Sequence, residues 1–242
     1  MNINRSGSDF VALPERRQDW HGRRLGKKLR VGQKKLLENL LPYLKITPLN
    51  PDPHFEKTMS ELPEEVWLEI GFGGGEHLAA MAKAFPKIGF IGCEPFINGV
   101  AKLLTEIDNQ NLKNIRIYND DARPLLDVMN NQSIDRAFVL FSDPWPKKRH
   151  HKRRFINEEN LNRLARVLKD EAELRFASDH YGFVSWSLEQ LIGHPAFAWN
   201  ARSFRDWRNP PQDWVKTRYE EKALARQEHP AYLLFKRLTR EI

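Results

Sequence analysis

The sequence contains a single cysteine, Cys93, which excludes an internal disulfide bond and a cysteine-rich metal site. It has no apolar run long enough to cross a membrane, and neither an internal repeat nor a low-complexity segment. The first twenty residues contain no apolar stretch, which predicts no secretory signal. We therefore expect a cytoplasmic protein whose thiol packs in the core.

The composition indicates a basic globular protein. Of 242 residues, 40% are hydrophobic and 29% are charged, and the formal net charge is +7. A chain of this length and apolar content can bury the core of one α/β domain. Its positive charge favours a polyanionic partner such as nucleic acid, although many basic proteins bind none.

Apolar runs and amphipathic stretches alternate along most of the chain. We predict strands at residues 66–70, 88–93, 114–118, 134–141, 171–177, 196–201 and 232–238. We predict helices at residues 33–44, 76–85, 98–108, 157–168 and 181–192. This alternation predicts an α/β fold with a mostly parallel sheet covered by helices on both faces. In such sheets, ligands bind beyond the carboxyl ends of the strands.

The N-terminal segment is strongly basic. Nine Lys or Arg residues lie between positions 16 and 35, interleaved with Trp20, His21 and glycines. One interpretation is a solubilising tail, and the other is an arm that lies along phosphates and becomes ordered on binding. We expect an arm with the first helix at residues 1–45 and the main domain at residues 46–242.

A glycine-rich turn, Glu69-Ile-Gly71-Phe-Gly73-Gly-Gly75, follows the first predicted strand. Glycines let the backbone turn tightly and approach a ligand closely. Glu94, at the end of the second strand, can accept hydrogen bonds from two ribose hydroxyls. These features are typical of sites for a nicotinamide dinucleotide or for S-adenosylmethionine. Glu76 stands where the dinucleotide pattern has its third glycine and would repel a pyrophosphate, which favours S-adenosylmethionine.

Acidic residues follow four of the predicted strands: Glu69, Glu94, Asp121 and Asp143. Because the carboxyl ends of parallel strands meet at one rim of a sheet, we expect these carboxylates to gather there. Such a set suits a cationic cofactor and would be unfavourable around a diphosphate. Asp120 precedes Asp121, so either carboxylate is a candidate partner for an adenine amino group.

The most informative segment is Phe141-Ser-Asp-Pro-Trp-Pro-Lys-Lys148, which continues into Arg149-His-His-Lys-Arg-Arg154. An acid, an aromatic ring and a cationic segment after a buried strand are what an enzyme needs to act on one base of a nucleic acid. Trp145 either stacks on a base or packs against the protein. His150 and His151 have no third ligand at helical spacing, so we expect no metal. We predict phosphate contacts from Lys147, Lys148, Arg149, Lys152, Arg153 and Arg154.

Five motifs, taken in order, give the chain a resemblance to the bacterial tRNA (guanine-N7)-methyltransferases. They are the glycine turn, Gly92-Cys-Glu-Pro95, the segment from Ser142 to Arg154, Ser178-Asp-His-Tyr181 and Thr217-Arg-Tyr-Glu220. The resemblance covers the chain from about residue 16 onwards. Its most specific part is Asp-Pro-Trp followed by the basic run, and it departs from the family pattern at Ser142, where Pro is common.

The resemblance implies a Rossmann-like class I methyltransferase fold with seven strands, the last antiparallel. It implies S-adenosylmethionine as methyl donor and guanine 46 in the tRNA variable loop as target. Gly71, Gly73 and the four acids would contact the cofactor, with Asp121 preferred over Asp120 because it directly precedes Ala122, and Asp143 would also be catalytic. Substrate contacts are expected from Lys147, Asp179, Thr217, Arg218, Tyr219 and Glu220.

The residues leave other interpretations open. A methyltransferase acting on another RNA position, such as an exocyclic amine, often carries Asn or Asp before Pro-Pro-Tyr or Pro-Pro-Trp at this strand end. Here Trp145 stands where the second Pro would be, which disfavours that class. A non-catalytic RNA-binding protein would not need all four acids, and a nicotinamide oxidoreductase is disfavoured by Glu76. The sequence leaves the oligomeric state open between monomer and homodimer.

Overall fold

The computed structural model describes residues 22–241, so expectations for residues 1–21, including Trp20 and His21, lie outside the described residues. The strands are β1 (Glu65–Ile70), β2 (Ile88–Cys93), β3 (Ile115–Tyr118), β4 (Ile134–Leu140), β5 (Leu168–Ser178), β6 (Phe197–Trp199) and β7 (Ala231–Arg237). The α-helices are α1 (Val31–Asn39), α2 (Leu41–Leu44), α3 (Glu76–Ala84), α4 (Ile97–Gln110), α5 (Ala122–Val128), α6 (Glu158–Val167), α7 (Tyr181–Ile192), α8 (Arg205–Arg208) and α9 (Arg218–Ala225).

The strands form one seven-stranded sheet in the order β3-β2-β1-β4-β5-β7-β6. Strands β1 to β5 are parallel, whereas β7 runs antiparallel to both β5 and β6. The prediction of a mostly parallel sheet with an antiparallel last strand is confirmed. The strand order reverses between β1 and β4, and ligands of open α/β sheets bind at this position.

Two apolar layers cover the sheet. Strand β2 is buried along its whole length, as expected for an inner strand of a parallel sheet. One face packs against α2, α3 and α4, and the other packs against α5, α6 and α7. The loops that follow the carboxyl ends of β2, β3 and β4 carry the acidic side chains Glu94, Asp121 and Asp143.

The bounds predicted for β2 and α7 are confirmed, whereas the single helix predicted at residues 33–44 is wrong. The helix is interrupted at Leu40, because Pro42 in the first turn of α2 lacks the N–H that a continuous helix requires. Helix α1 packs against α4, and α2 is buried in the same core as α3. The division between an arm at residues 1–45 and a domain at residues 46–242 stays a prediction.

Candidate active site

The glycine turn brings backbone close to backbone at the carboxyl end of β1. Gly71, Gly73 and Gly75 all have φ between 58° and 78°, a region that favours glycine. A Cβ on Gly99, in the first turn of α4, would lie 2.0 Å from the carbonyl oxygen of Gly73. The positive φ angles disfavour side chains at these positions, and a Cβ on Gly75 would also lie 2.7 Å from Leu103, so the turn exposes its own backbone to a ligand.

A cavity of about 690 Å³ lies over the carboxyl ends of β1 to β4, and its volume is typical of a site for a small molecule. It brings together many of the residues predicted from widely separated motifs: Gly71, Gly73, Glu94, Asp121, Asp143, Lys152, Arg153, Arg154 and Tyr219. It also contains residues that the sequence did not single out for this site: Phe96, Arg123, Phe155, Asn157 and Asn160. Glu69, Lys147, Asp179, Thr217, Arg218 and Glu220 do not line it.

Glu94 is buried at the base of this cavity. One carboxylate oxygen accepts a hydrogen bond from the N–H of Gly73 at 2.7 Å, and the other accepts one from the N–H of Phe96 at 2.8 Å. Burial raises the pKa of Glu94 to about 7, and the charges of Asp143 and Glu69 also raise it. Glu94 thus connects the glycine turn to the start of α4, and it titrates near neutral pH.

Asp143 extends from the loop after β4 into the cavity. Its side chain remains accessible to solvent, but the surrounding walls partly desolvate the carboxylate and raise the pKa of Asp143 above its ordinary value. The loop is held in place by the N–H of Phe141, which donates to the carbonyl of Ala177 in β5 at 2.8 Å. Asp143 therefore presents an acceptor to the ligand space from a fixed strand end.

Glu69 is oriented by a histidine that the sequence analysis did not identify. Nδ1 of His77, in the first turn of α3, lies 2.7 Å from Oε2 of Glu69, and both side chains are buried. The His77 ring also packs against Phe138 and Trp214. Glu69 therefore lies beneath the cavity rather than in its wall, so a direct contact with a cofactor stays a prediction.

Each acid after β3 has a cationic partner. Asp121 accepts a hydrogen bond from the N–H of Arg123 and caps α5, and its carboxylate also pairs with the Arg123 guanidinium. Asp120 pairs with Arg24 of the N-terminal segment at 2.9 Å. Both acids line the cavity, so the preference for Asp121 as the adenine partner stays a prediction.

Residues 217–220 form the start of α9, which the sequence analysis had not predicted to be helical. Thr217 is the N-cap and accepts a hydrogen bond from the N–H of Glu220. Glu220 is only 1% exposed, and its carboxylate accepts hydrogen bonds from the Trp214 indole and the Tyr232 hydroxyl, both at 2.6 Å. In this conformation Thr217 and Glu220 hold the segment in place and do not face a substrate.

Tyr219 is the member of this segment that reaches the cavity. Its ring lies over the glycine turn, where a Cβ on Gly73 would be 3.1 Å from Cε2 of Tyr219. Arg218 is exposed to solvent beside it. The first turn of α9 therefore closes one side of the cavity with the Tyr219 ring, and Arg218 lies outside the cavity.

Most of the basic run is exposed at the mouth of the cavity. Residues Lys148–Arg153 form a 3₁₀ helix, and exposed side chains are found on Lys147, Lys148, Arg149 and Lys152. The guanidinium of Arg153 lies 4.9 Å from the centre of the Trp145 ring, and His150 packs edge-on against the same ring. Trp145 is half-buried in the cavity wall, so its role as a stacking platform stays a prediction.

Arg154 corrects one expectation about this run. Its side chain is only 2% exposed, and it donates hydrogen bonds to the carbonyls of Pro144 and Gly182. The guanidinium also packs against the rings of Phe183 and Trp186. Because these contacts hold the guanidinium inside the protein, the prediction that Arg154 binds a phosphate is wrong for this conformation.

Asp179 follows β5 on the same rim of the sheet. Its carboxylate pairs with Arg226 at 3.3 Å, and the side chain is partly exposed outside the cavity. Within residues 22–241, no three His, Cys, Asp or Glu side chains are close enough together to hold a metal ion. The described helices include none with the length and apolar character needed to cross a membrane.

The cavity thus combines an acidic floor with a cationic mouth. Glu94, Asp121 and Asp143 face the space from three strand ends, while Lys152 and Arg153 lie at its edge. Carboxylates are suited to a cationic small molecule, and an exposed basic edge is suited to a phosphate backbone. This arrangement can hold a positively charged ligand beneath a polyanion.

Comparisons with known proteins agree with this chemistry. A family model described as "Putative methyltransferase" matches residues 63–234. The chain is 48% identical to a tRNA (guanine-N(7)-)-methyltransferase of Chelativorans sp., with 93% of this chain and 98% of that protein covered. It is 46% identical to the protein of the same name from Rhodospirillum rubrum, and the alignment covers 91% of this chain and 88% of that protein. Among solved structures, the 16S rRNA methyltransferase KamB matches with a TM-score of 0.54 at 12% sequence identity. The match covers 78% of this chain and 94% of the KamB chain, and it supports the fold alone.

Proposed function

Because the chain belongs to the bacterial tRNA (guanine-N7)-methyltransferase family and transfers a methyl group to N7 of a guanine in tRNA, we propose that the donor is S-adenosylmethionine and that the target is guanine 46 of the variable loop. The observation that carries the proposal is the meeting of Glu94, Asp143 and Tyr219 around one cavity with a basic edge. The family and fold imply this donor, and guanine 46 is consistent with the family.

The residues present fit S-adenosylmethionine. The positive φ angles of the glycine turn leave its backbone open to a ligand, and the acidic floor complements a sulfonium and an ammonium group. We assign the ribose hydroxyls to Glu94, the adenine amino group to Asp121 and the methionyl end to Gly71, Gly73 and Glu69. When bound, this donor supplies a methyl group already activated by the positive charge on sulfur.

The protein does not need to remove a proton from the nucleophile. N7 of guanine carries a free lone pair at neutral pH, so this pair forms the new bond to the methyl carbon in line with the bond that breaks. The electron pair of the broken bond stays on sulfur, and the positive charge passes to the guanine. Catalysis therefore depends on alignment, which is worth about 7–11 kcal/mol of barrier in favourable cases, and on carboxylates that stabilise the cationic ring.

Asp143 is the residue we assign to that alignment. It faces the cavity from the end of β4, and its carboxylate can accept from N1–H and the amino group of guanine. Adenine has no N1–H, so this contact would select guanine. Tyr219 and Lys147 would contact the substrate from the two sides of the cavity mouth, with Asp179 and Arg218 on the adjoining rim. Thr217 and Glu220 would hold the segment that presents Tyr219.

Other RNA positions are the second candidate that the sequence left open. The relatives at 46–48% identity carry the N7 activity in their names, and their alignments cover about nine-tenths of the chain. This supports N7 over an exocyclic amine, and it supports an enzyme over a non-catalytic RNA-binding protein. A nicotinamide oxidoreductase has no comparable support.

The decisive experiment uses unmodified tRNA with S-adenosylmethionine labelled on its methyl group. We expect label in 7-methylguanosine at position 46, mapped by nuclease digestion and mass spectrometry. Label at another nucleoside would contradict the N7 activity, and label at another guanine would contradict only the position.

Asp143→Asn and Asp143→Ala test the assignment of the carboxylate. Both should lower the methylation rate by at least a hundredfold, consistent with the loss of an electrostatic contact in a desolvated site, while tRNA affinity stays within threefold. A variant that methylates at the parent rate would remove Asp143 from the mechanism. Glu61→Gln, an exposed acid outside the cavity, is the control.

A further inference from the structure

The rim beyond the cavity carries a second group of rings, which we name the aromatic–arginine cluster and define as Tyr181, Phe204, Trp207 and Arg208. The Arg208 guanidinium lies 5.3 Å from the centre of the Tyr181 ring, 5.4 Å from that of Phe204 and 4.5 Å from that of Trp207. Arg208 also donates a hydrogen bond to the carbonyl of His229 at 3.0 Å. One cation therefore contacts three rings, of which Phe204 and Trp207 come from one segment and Tyr181 from another.

The cluster lies on the same rim of the sheet as Asp143. Tyr181 begins α7 directly after β5, and α8, which contains Trp207 and Arg208, follows β6. His229 lies two residues before the start of β7, whose first residue, Ala231, pairs with Ser178 at the end of β5. Strand β7 is two strands from β4, or about 10 Å at the usual spacing, so the cluster lies within the span of a few nucleotides from the proposed catalytic residue.

Two rings of the cluster face solvent. Tyr181 is 56% exposed and Phe204 is 64% exposed, although Trp207 packs against the apolar core. Aromatic side chains usually bury most of their area, and here the contacts that hold them in place leave large ring areas free. Among the described residues, Nε of Arg208 has no hydrogen-bond partner although it is shielded from solvent.

The charge around these rings is positive. Arg202, Arg205 and Arg208 lie in one short segment, and Arg202 and Arg205 are exposed. The one acid among them, Asp206, is engaged by the backbone N–H groups of Arg202 and Ser203. Exposed rings with interleaved arginines are the combination that binds single-stranded nucleic acid, since the bases stack and the phosphates pair with the cations.

We propose that the aromatic–arginine cluster is a second RNA-contact surface, on which nucleobases of the tRNA stack outside the nucleotide that is methylated. This inference rests on the proposed function, since it takes tRNA as the substrate held at Asp143. It assigns Tyr181 and Phe204 to stacking and Arg205 to a phosphate. The surface determines how the substrate lies across the rim and takes no part in methyl transfer.

The test replaces the planar rings while keeping their apolar character, in the double variant Tyr181→Leu/Phe204→Leu. We expect its affinity for unmodified tRNA, measured by filter binding, to fall roughly 5- to 100-fold, as for the loss of one or two base–aromatic contacts. The KM for tRNA should rise accordingly, while the kcat at saturating tRNA and the affinity for S-adenosylmethionine stay within twofold. Because stacking releases no counterions, the slope of log affinity against log salt should not change.

Two matched variants separate stacking from a general loss of structure. Tyr181→Phe/Phe204→Tyr keeps both rings planar and should retain the parent affinity. Tyr43→Leu replaces a ring that is 76% exposed on α2, next to β3 at the opposite edge of the sheet, and should also bind tRNA like the parent. An equal loss of affinity in all three variants would overturn the inference.

Parent-like tRNA affinity in Tyr181→Leu/Phe204→Leu would also overturn it. If that variant instead lost self-association in sedimentation with unchanged tRNA affinity, the surface would belong to a second copy of the chain and the inference would be wrong. The proposed function fails separately, when the parent protein itself produces no 7-methylguanosine.

Discussion

Nδ1 of His77 lies 2.7 Å from Oε2 of Glu69, and both side chains are buried where β1 passes into α3. The pair links the strand end before the glycine turn to Trp214, whose ring contacts His77 and whose indole N–H donates to Glu220. Glu69 is therefore the member of the pair that we assign to the cofactor, and His77 is the member that supports, through Trp214, the segment that we assign to the substrate.

His77→Leu should destabilise the protein. It leaves the Glu69 carboxylate buried without its partner, and breaking a buried pair in this way typically costs about 3–5 kcal/mol of unfolding free energy. Urea denaturation of the protein without ligand measures the effect. Glu69→Leu/His77→Leu should be more stable than His77→Leu, since no charge is then left buried. A His77→Leu variant as stable as the parent would show that Glu69 finds another partner.

Glu94 should make cofactor affinity depend on pH. The ionised carboxylate accepts hydrogen bonds from ribose hydroxyls better than the neutral acid does, and burial raises the pKa of Glu94 from 4.5 to about 7. Affinity for S-adenosylmethionine should therefore rise as the pH increases from about 5.5 to 7 and level off above pH 7. Calorimetry at a series of pH values measures it, and Glu94→Gln should give a weaker and flatter profile over this range.

The same residue makes a stability prediction of defined sign. With its pKa raised on folding, the folded protein binds more protons than the unfolded chain between pH 4.5 and about 7. The contribution of Glu94 to stability is thus greatest below pH 4.5 and is lost as the pH rises through 7, by up to about 3 kcal/mol. Glu94→Gln should not show this loss, whereas the exposed Glu61→Gln should behave like the parent.

Arg149 and Arg154 are five residues apart in one basic run, yet replacing Arg154 should lower stability, whereas replacing Arg149 should weaken the salt dependence of tRNA binding. Arg154→Ala removes hydrogen bonds to two carbonyls and a guanidinium packed on two rings, so it should cost about 2–4 kcal/mol of stability. Arg149→Ala removes an exposed cation and should change stability by less than about 0.5 kcal/mol, but it should lower the salt slope of tRNA affinity by about one.

Denaturation and filter binding at several salt concentrations distinguish the two effects. An Arg154→Ala variant that is as stable as the parent but has a lower salt slope would restore the original assignment of Arg154 to phosphate binding. A flat salt response of the parent itself would remove the basic run from RNA binding.

The contrast between these arginines shows where prediction from sequence stops. Apolar runs and glycine spacing predicted β2, α7 and the glycine turn, because period and composition reflect local burial and local backbone geometry. The partners of Arg154 include the carbonyl of Gly182, 28 residues later in the sequence. The partners of Glu220 are Trp214, before α9, and Tyr232, after it. A charge that is buried by distant backbone has no local signature, so the sequence suggested a solvated side chain.

Short helices were missed for a related reason. Thr217 caps α9 and Asp121 caps α5, whereas the sequence predicted ligand contacts for both residues. The residue types that cap helices, Ser, Thr, Asp and Asn, also bind ligands at the ends of strands and in loops, so the sequence alone does not distinguish the two roles. His77 was missed because its role depends on its contact with Glu69, which lies eight residues earlier on the other side of the glycine turn.

The final prediction concerns the described part of the N-terminal segment, residues 22–28, which is docked beside the cavity. The Asn98 side chain accepts a hydrogen bond from the N–H of Gly26 and donates one to the carbonyl of Lys27, both at 2.7 Å. Asn98→Ala should release this segment and speed tryptic cleavage at the basic residues around it, because proteolysis follows the population of the open form. Mass spectrometry of the fragments over time measures the rate.

The ion pair between Arg24 and Asp120 should matter less, because both side chains are substantially exposed and such pairs contribute about 0–1 kcal/mol. Asp120→Asn should therefore speed cleavage by less than about fivefold, and Gln110→Ala, at the far end of α4, should not change it. If Asp120→Asn released the segment and Asn98→Ala did not, this prediction would be wrong. The docking would then depend on the ion pair with Arg24 and not on the hydrogen bonds of Asn98. Cleavage at the same rate in all variants would show that the segment is already open in solution.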